Sequence, residues 1–526
     1  MKKISAFLLA VLMLMSLFSC SRPKEHQESE TPPESRIEES EIKGTLKILS
    51  ERFCWGWDVD TVHYNHFSSP RDNIANILFY FREIYPDVKI DIEYLPTKQE
   101  EREFYIKNRR ISMMSGKEVP DIYLMPTLSI AEISYYPMEP LFKDVAQTMR
   151  NGWFADISGL YNGDTELHTE ELNKPVMDAG TVGSARYVLP LGYEMPVYIT
   201  RRDLVDKAGL DWERLNSGVD SMIDAFLELN EQGDSRWAAN AFFTDNLPLS
   251  LLPNPCDYDT EEALIEGKQV EELLSDFAEC TKITAAEWKK RQDAGEGISG
   301  RGFSLLTYLD TGNKSHKFAI DEDSPGAKAS MSKIISVAGI GKAMDKEIMI
   351  LPMRAADGTL NAEITYWGAI SAGCENKKLA YEFLRLFLTP EVQHEGQLKT
   401  SAKTYEMNFK LSKDNTDAGP FPGWPVRYKG FADKRWGRML NGIENTSGYD
   451  QKRKEAILQV TIDDNDLPIL DAPIDNARFT SSLDQEFYTF IRPLENFIDV
   501  NKYTQADAVK AGNEFVRNLK YHLAEG

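Results

Sequence analysis

The side chains with most chemical potential in this chain are aromatic rather than nucleophilic. Nine tryptophans are present, and Trp55 and Trp57 stand two apart in a loop that also holds Phe53, directly after a short apolar run. An indole face packs against the axial C–H groups of a sugar ring, whose hydroxyls then need donors and acceptors around the rim. The competing use of such rings is burial in a core, and both uses are open for this pair. Trp367 lies beside Gly368, a residue that gives a hinge backbone freedom. Trp424 sits in Gly419-Pro420-Phe421-Pro422-Gly423-Trp424-Pro425, a stiff loop suited to holding a stacking ring. Trp436 lies among Lys434, Arg435 and Arg438. Core packing is the default for each of these three, while the tryptophan count favours a sugar over an amino acid or a metal as ligand.

Motifs for covalent chemistry are missing. The chain has no Gly-x-Ser-x-Gly, no His-Glu-x-x-His and no Walker loop. Asp321-x-Asp323 with Gly326 resembles the start of a calcium loop, but the twelfth position is Ser332 where a bidentate Glu is needed. His63-x-x-His66 beside Asp58 and Asp60 has metal-ligand chemistry, although loop histidines on a solvated surface are commoner. Among 83 acidic residues some carboxylates must neighbour one another, so counting alone does not dismiss a glycosidase pair. Cys54, Cys256, Cys280 and Cys374 form no Cys-x-x-Cys pair; Cys256 and Cys280 are either a disulfide or buried thiols. No metal, no cofactor and no catalytic residue is therefore expected.

The elements that must position these rings belong to an exported chain. Lys2 and Lys3 precede an apolar run from Ile4 to Phe18, too short for a spanning helix and suited to a secretory signal. The run ends in Leu17-Phe18-Ser19-Cys20, which resembles the lipobox of bacterial lipoproteins and marks Cys20 as the acylated first residue of the mature chain. Phe18 departs from the small or branched residue usual there. Residues 21–43 are rich in Glu, Ser and Pro and lack aromatics, the composition of a solvated tether. Taking Lys2 and Lys3 from a net charge of −23 leaves −25, which disfavours nucleic acid as a partner. At 526 residues the chain exceeds one compact core, so two or three lobes are expected.

From Gly44 the periodicity switches between strand and helix. Leu46 and Ile48 flank Lys47 in a first strand; Ile74, Ile77, Leu78 and Phe81 make one helical face, begun by Asp72 and stopped by Pro86. Val88, Ile90, Ile92 and Tyr94 alternate with polar residues, as in a strand at a sheet edge. A charged helix stops near Ser115-Gly116, and Pro120 to Pro126 bracket a third strand. Strand–helix–strand–helix–strand implies a parallel sheet with helices on its faces. Farther on, Asn376 is placed to cap a helix whose face is Leu379, Phe383, Leu386 and Phe387, and Thr389-Pro390-Glu391 starts another. Thr504 with Asp507 resembles a capping box before a stripe of Val509, Gly512, Phe515, Val516, Leu519 and Leu523.

The segments FREIYPDVKIDIEY, MMSGKEVPDIYLMP and MEPLFKD, in that order, resemble the opening of the family 1 extracellular solute-binding proteins, the maltose-binding-protein-like receptors of ABC importers. ARYVLPLGYEMPVYITRRDLVDKAGLD resembles their crossover strand, GAKASM a glycine-led strand of the second lobe, and YWGAISAGCENKKLAYEFLRLFLTPEVQ the return to the first lobe. The resemblance covers most of residues 44–400, and Asn230 to Gly326 carry no landmark. It implies a two-lobed α/β fold of the type II periplasmic-binding-protein class with hinged crossover strands. Lobe 1 would be residues 44–190 and about 368–400, and lobe 2 residues 195–352 and about 401–526. A ligand would sit between them, against loops that follow strands: residues 54–57, residues 125–128 with Thr127, and residues 191–196 with Tyr193 and Glu194. The family often places a ligand-contacting carboxylate where Glu194 falls; a carboxylate accepts two hydroxyl hydrogen bonds, though a hinge ion pair is an equal use. The implied function is capture of a sugar or oligosaccharide by a lipid-anchored protein on the extracytoplasmic face of the membrane, for delivery to a permease. The alternatives are a secreted glycan-acting enzyme and a receptor for an oligopeptide or another solute.

Overall fold

The structure is a computed structural model. It describes residues 42–51, 77–126, 140–240, 249–293, 326–329, 338–395, 424–427 and most of 455–524, apart from isolated positions within these ranges.

Strand β1 (Gly44–Ser50) lies parallel to both β2 (Val88–Tyr94) and β3 (Ile122–Pro126), as the alternating pattern predicts. β2 is the edge, which explains its wet outer face. Between β2 and β3 runs α1 (Gln99–Met114), and Gly116, at φ +67°, closes its end. Short helix α2 (Val145–Arg150) is capped by the Asp144 carboxylate, which accepts from the Gln147 N–H at 2.9 Å. Strand β4 (Val188–Glu194) leads through Met195 and Pro196 into β5 (Val197–Arg201). Helices α3 (Val219–Glu231) and α4 (Gly267–Asp293) follow, then β6 (Gly326–Ala329), β7 (Ile348–Pro352) and the long β8 (Asn361–Ile370). The chain continues through α5 (Lys377–Arg385), β9 (Trp424–Pro425), β10 (Asn476–Phe479), α6 (Ser482–Glu495) and α7 (Gln505–Ala524).

The strands form a seven-stranded sheet, ordered β9-β4-β8-β3-β1-β2 with β10 also on β8, and a three-stranded sheet, β6-β5-β7. Two hydrophobic cores accompany them. The first packs Ile48, Leu124, Leu189, Ile364, Phe383 and their neighbours on the large sheet. The second joins α3, α4, α6 and α7 through Phe226, Phe277, Phe487 and Phe515. Trp237, Leu249, Val270 and Leu273 show that residues 230–293, which carry no family landmark, supply much of this second core. Burying each such side chain contributes about 1.5–3 kcal/mol.

Leu360, Ala362 and Ile364, together with Trp424, Val426 and the span from Ile462 to Phe479, pack in the first core rather than the second. The C-terminal contribution to the second core starts at Leu483. The reason is pairing: β9 adds to β4 and β10 adds to β8, so both are committed to the large sheet. Among the described residues, the chain passes between the cores at residues 195–196, at residues 353–360, and between Phe479 and Leu483.

Candidate functional site

In the large sheet β8 runs antiparallel to β3 and β4, so the carboxyl ends of β1, β3 and β4 meet the amino half of β8 along one rim. This is the end from which the crossings depart. Glu194, the last residue of β4, is in register with Glu363 of β8, and Glu363 is in register with Arg478 of β10. Residues directly opposite across paired strands project to the same face, so the three side chains form a row. The Arg478 guanidinium grips Asp484 of α6 with two hydrogen bonds, 2.6 and 3.1 Å, and reaches Glu363 at 3.5 Å. Burial pulls the Arg478 pKa down, but Asp484 and Glu363 outweigh it and hold it above the ordinary value. Arg478 thus ties a strand of the first core to a helix of the second, across the third crossing. Glu194 is half-buried at the β4 end of this row.

A second polar group lies at the end of β1. Ser50 donates to the Leu124 carbonyl at 3.0 Å, and the following residue, Glu51, pairs with Arg102 of α1 at 2.5 Å. Both partners are almost fully buried. Burial pushes the Glu51 carboxyl up, and Arg102 offsets only part of that. Tyr366 of β8 is buried alongside and engages Ser50, so the rim is polar from β1 across to β10.

Three of the expected ligand contacts are buried in this structure. Trp367 is 2 % exposed and packs among Phe142, Phe154 and Phe479, with ring centroids 5.7–6.2 Å apart. Trp424 and Tyr193 are each 1 % exposed and face each other in the β9–β4 pairing. All three are packing residues of the first core, because the strands that carry them are buried on both faces. Gly368 lies inside β8. A Cβ there would sit 2.7 Å from Leu384 Cδ2, so this glycine lets α5 approach β8. Glu194 is half-buried at the end of β4. Trp55, Trp57, Thr127, Trp436 and Cys20 lie outside the described residues, as do His63 and His66. Cys256 and Cys280 are separate buried thiols rather than a disulfide.

Glu51, Glu363 and Arg478 were missed by reading the sequence for rings. Their signal is a charged residue inside or at the end of an apolar strand, as in NAEITYWGAI and NARF. Among the described residues no cluster of three metal-ligating side chains exists, and no helix is long and apolar enough to cross a membrane.

Two cores, with a polar rim where the described crossings leave the large sheet, give the two-lobed architecture of hinged proteins. The chain belongs to the bacterial extracellular solute-binding protein family, whose model matches residues 71–394. Among solved structures it is similar to an extracellular solute-binding protein family 1 member from Alicyclobacillus acidocaldarius, with 13 % identity over 92 % of this chain and 99 % of that one, TM-score 0.47. The cyclic alpha-maltosyl-1,6-maltose binding protein from Arthrobacter globiformis is 16 % identical over 92 % and 100 %, TM-score 0.44. The galacto-N-biose-/lacto-N-biose I-binding protein from Bifidobacterium longum is 13 % identical over 91 % and 98 %, TM-score 0.45. No curated protein matches the sequence.

Proposed function

We propose that this chain is the lipid-anchored receptor of an ABC importer and that it captures a sugar or oligosaccharide between its lobes, without making or breaking a covalent bond. The observation that supports the reading is Glu194, half-buried at the lobe-crossing end of the large sheet and in register with Glu363, which Arg478 reaches. A carboxylate so placed accepts two sugar hydroxyls with charge-assisted bonds. Trp55 and Trp57, which follow Glu51 by a few residues, are the proposed stacking faces, with Thr127 and Trp436 as further contacts. Capture at micromolar Kd needs about −8 kcal/mol, which such contacts supply if ligand-bound lobes are favoured by differential affinity.

Thermal-shift and calorimetric titration with malto-, manno- and galacto-oligosaccharides, alongside oligopeptides, tests the proposal. One sugar class should raise the melting temperature and leave the sugar intact; stabilisation by peptides alone, or release of cleaved sugar, overturns it. Glu194→Ala should weaken the active sugar by roughly 10- to 100-fold, the loss of a charged hydrogen-bonding partner. Anchoring is tested separately. Cys20→Ser should abolish incorporation of a labelled palmitate and release the chain from membranes.

A further inference from the structure

We propose that Asp144, Tyr258 and His522 form a proton-sensitive latch that holds the two lobes in the disposition seen here. The three residues come from different parts of the fold. Asp144 immediately precedes α2, whose Val145 and Met149 belong to the first core. Tyr258 packs against the second core, two residues after its Cys256. His522 lies in the last turn of α7, between Leu519 and Leu523, which are buried in the second core.

Both second-core side chains converge on one oxygen. The Tyr258 hydroxyl donates to Asp144 Oδ2 at 2.9 Å, and His522 Nε2 lies 2.7 Å from the same atom. Asp144 is only 4 % exposed, so its charge is removed from water and depends on these partners. The end of a helix favours a cation, and the start of a helix favours an anion, so α7 and α2 reinforce the pairing.

Other charged and titratable groups also face the cluster. Arg150 of α2 lies over the Tyr258 ring at 5.1 Å, and Arg478 of β10 interacts electrostatically with Tyr258 and Cys256. Burial, then Asp144, push the Cys256 thiol up to about 11 and raise the Tyr258 hydroxyl as well, so both stay neutral near neutrality. Burial alone would raise the Asp144 carboxyl; His522, the Gln147 N–H and Tyr258 outweigh it and hold the group below its usual value. Of the three side chains, imidazole is the type able to gain or lose its charge near physiological pH. Protonated, it pairs a full positive charge with the buried carboxylate; neutral, it keeps the hydrogen bond and loses the ion pair. The latch is tight in acid and loosens as the pH rises, whatever solute the lobes hold.

Spin labels at Lys107 in the first lobe and Glu231 in the second, with Cys20 and Cys54 replaced by serine, would report the interlobe distance. Between pH 5.5 and 8 a second distance should grow in population by roughly fivefold, the lower end of typical coupling between sites. His522→Gln should show the pH 8 distribution at both values. Asp144→Asn, which retains an acceptor to cap α2, should do the same and decides the matter if His522→Gln fails to fold. A wild-type distribution indifferent to pH, or a pH response that survives in either variant, overturns the latch.

Discussion

Asp164 and Arg385 illustrate what a single buried charge does in this protein. Arg385 Nε and Nη2 donate to the two Asp164 oxygens at 2.6 and 2.9 Å, and the Tyr381 hydroxyl adds a third bond at 3.1 Å. Desolvation lowers the Arg385 pKa, but Asp164 and Glu382 overcome it and hold the guanidinium above its ordinary range. The pair joins a loop after residue 163 to α5, so its loss strands one charge in a dry setting. Asp164→Ala is expected to cost about 3 kcal/mol in urea denaturation, the usual penalty for breaking a buried pair. Lys174 and Asp178 also pair, but with the lysine side chain 83 % exposed. Lys174→Ala should change stability by less than about 1 kcal/mol. The same logic separates Glu194, which keeps access to solvent, from Glu51, which is fully committed to Arg102.

At the scale of elements, one device sets how closely two helices approach and another sets where a helix starts. Gly512 of α7 crosses Gly267 at the start of α4, and a Cβ on Gly512 would lie 2.1 Å from the Gly267 carbonyl oxygen. Backbone cannot yield as a flexible side chain does. Gly512→Ala would raise helix propensity by about 1 kcal/mol in isolation, yet here it should lower stability by roughly 1–3 kcal/mol through overpacking. Chemical denaturation gives the sign directly. At the other device, the Asn376 side chain accepts from the Leu379 N–H at 3.0 Å and starts α5. Asn376→Ala should cost about 1 kcal/mol, while Asn376→Asp should cost almost nothing. The Thr504–Asp507 box forms as well: the Asp507 carboxylate accepts from the Thr504 N–H and hydroxyl at 2.9 and 2.7 Å.

Over the whole molecule the excess of acid is concentrated as well as spread. Asp276 on α4 is pushed up to about 7, first by burial and then by Asp220 and Asp224 of α3 and Glu279 and Glu272 of α4. A carboxyl whose folded pKa is raised binds its proton more tightly in the folded state than in the unfolded chain. Stability from this site is therefore fully present below about pH 4, the unfolded carboxyl's range, and is lost as the pH rises through about 7. Asp276→Asn should flatten this part of the stability profile and raise the melting temperature at pH 8. A calorimetric series from pH 4 to 8 on both proteins would show it. An unchanged slope would mean that the second lobe relieves its repulsion by moving α3 away from α4.

Alternation and capping are local properties, so they could be read directly from the residues. The pattern of Val88 to Tyr94 announced an edge strand, Gly116 a helix stop, and Asn376 a helix start, because each depends on a few adjacent positions. The order of family-like segments announced two lobes on the same basis. The fate of the tryptophans was not local. Trp367 and Trp424 became core because β8 is flanked on both sides and β9 adds to β4, pairings between residues far apart in sequence. Gly368 is required by α5, which arrives later in the chain, rather than by a bend. The row of Glu194, Glu363 and Arg478, and the meeting of Asp144 with His522, likewise exist only once three strands and two lobes are assembled. Sequence determined the elements and their order; tertiary packing decided which polar groups share a rim, since burial and proximity belong to the assembled sheet and not to any one segment.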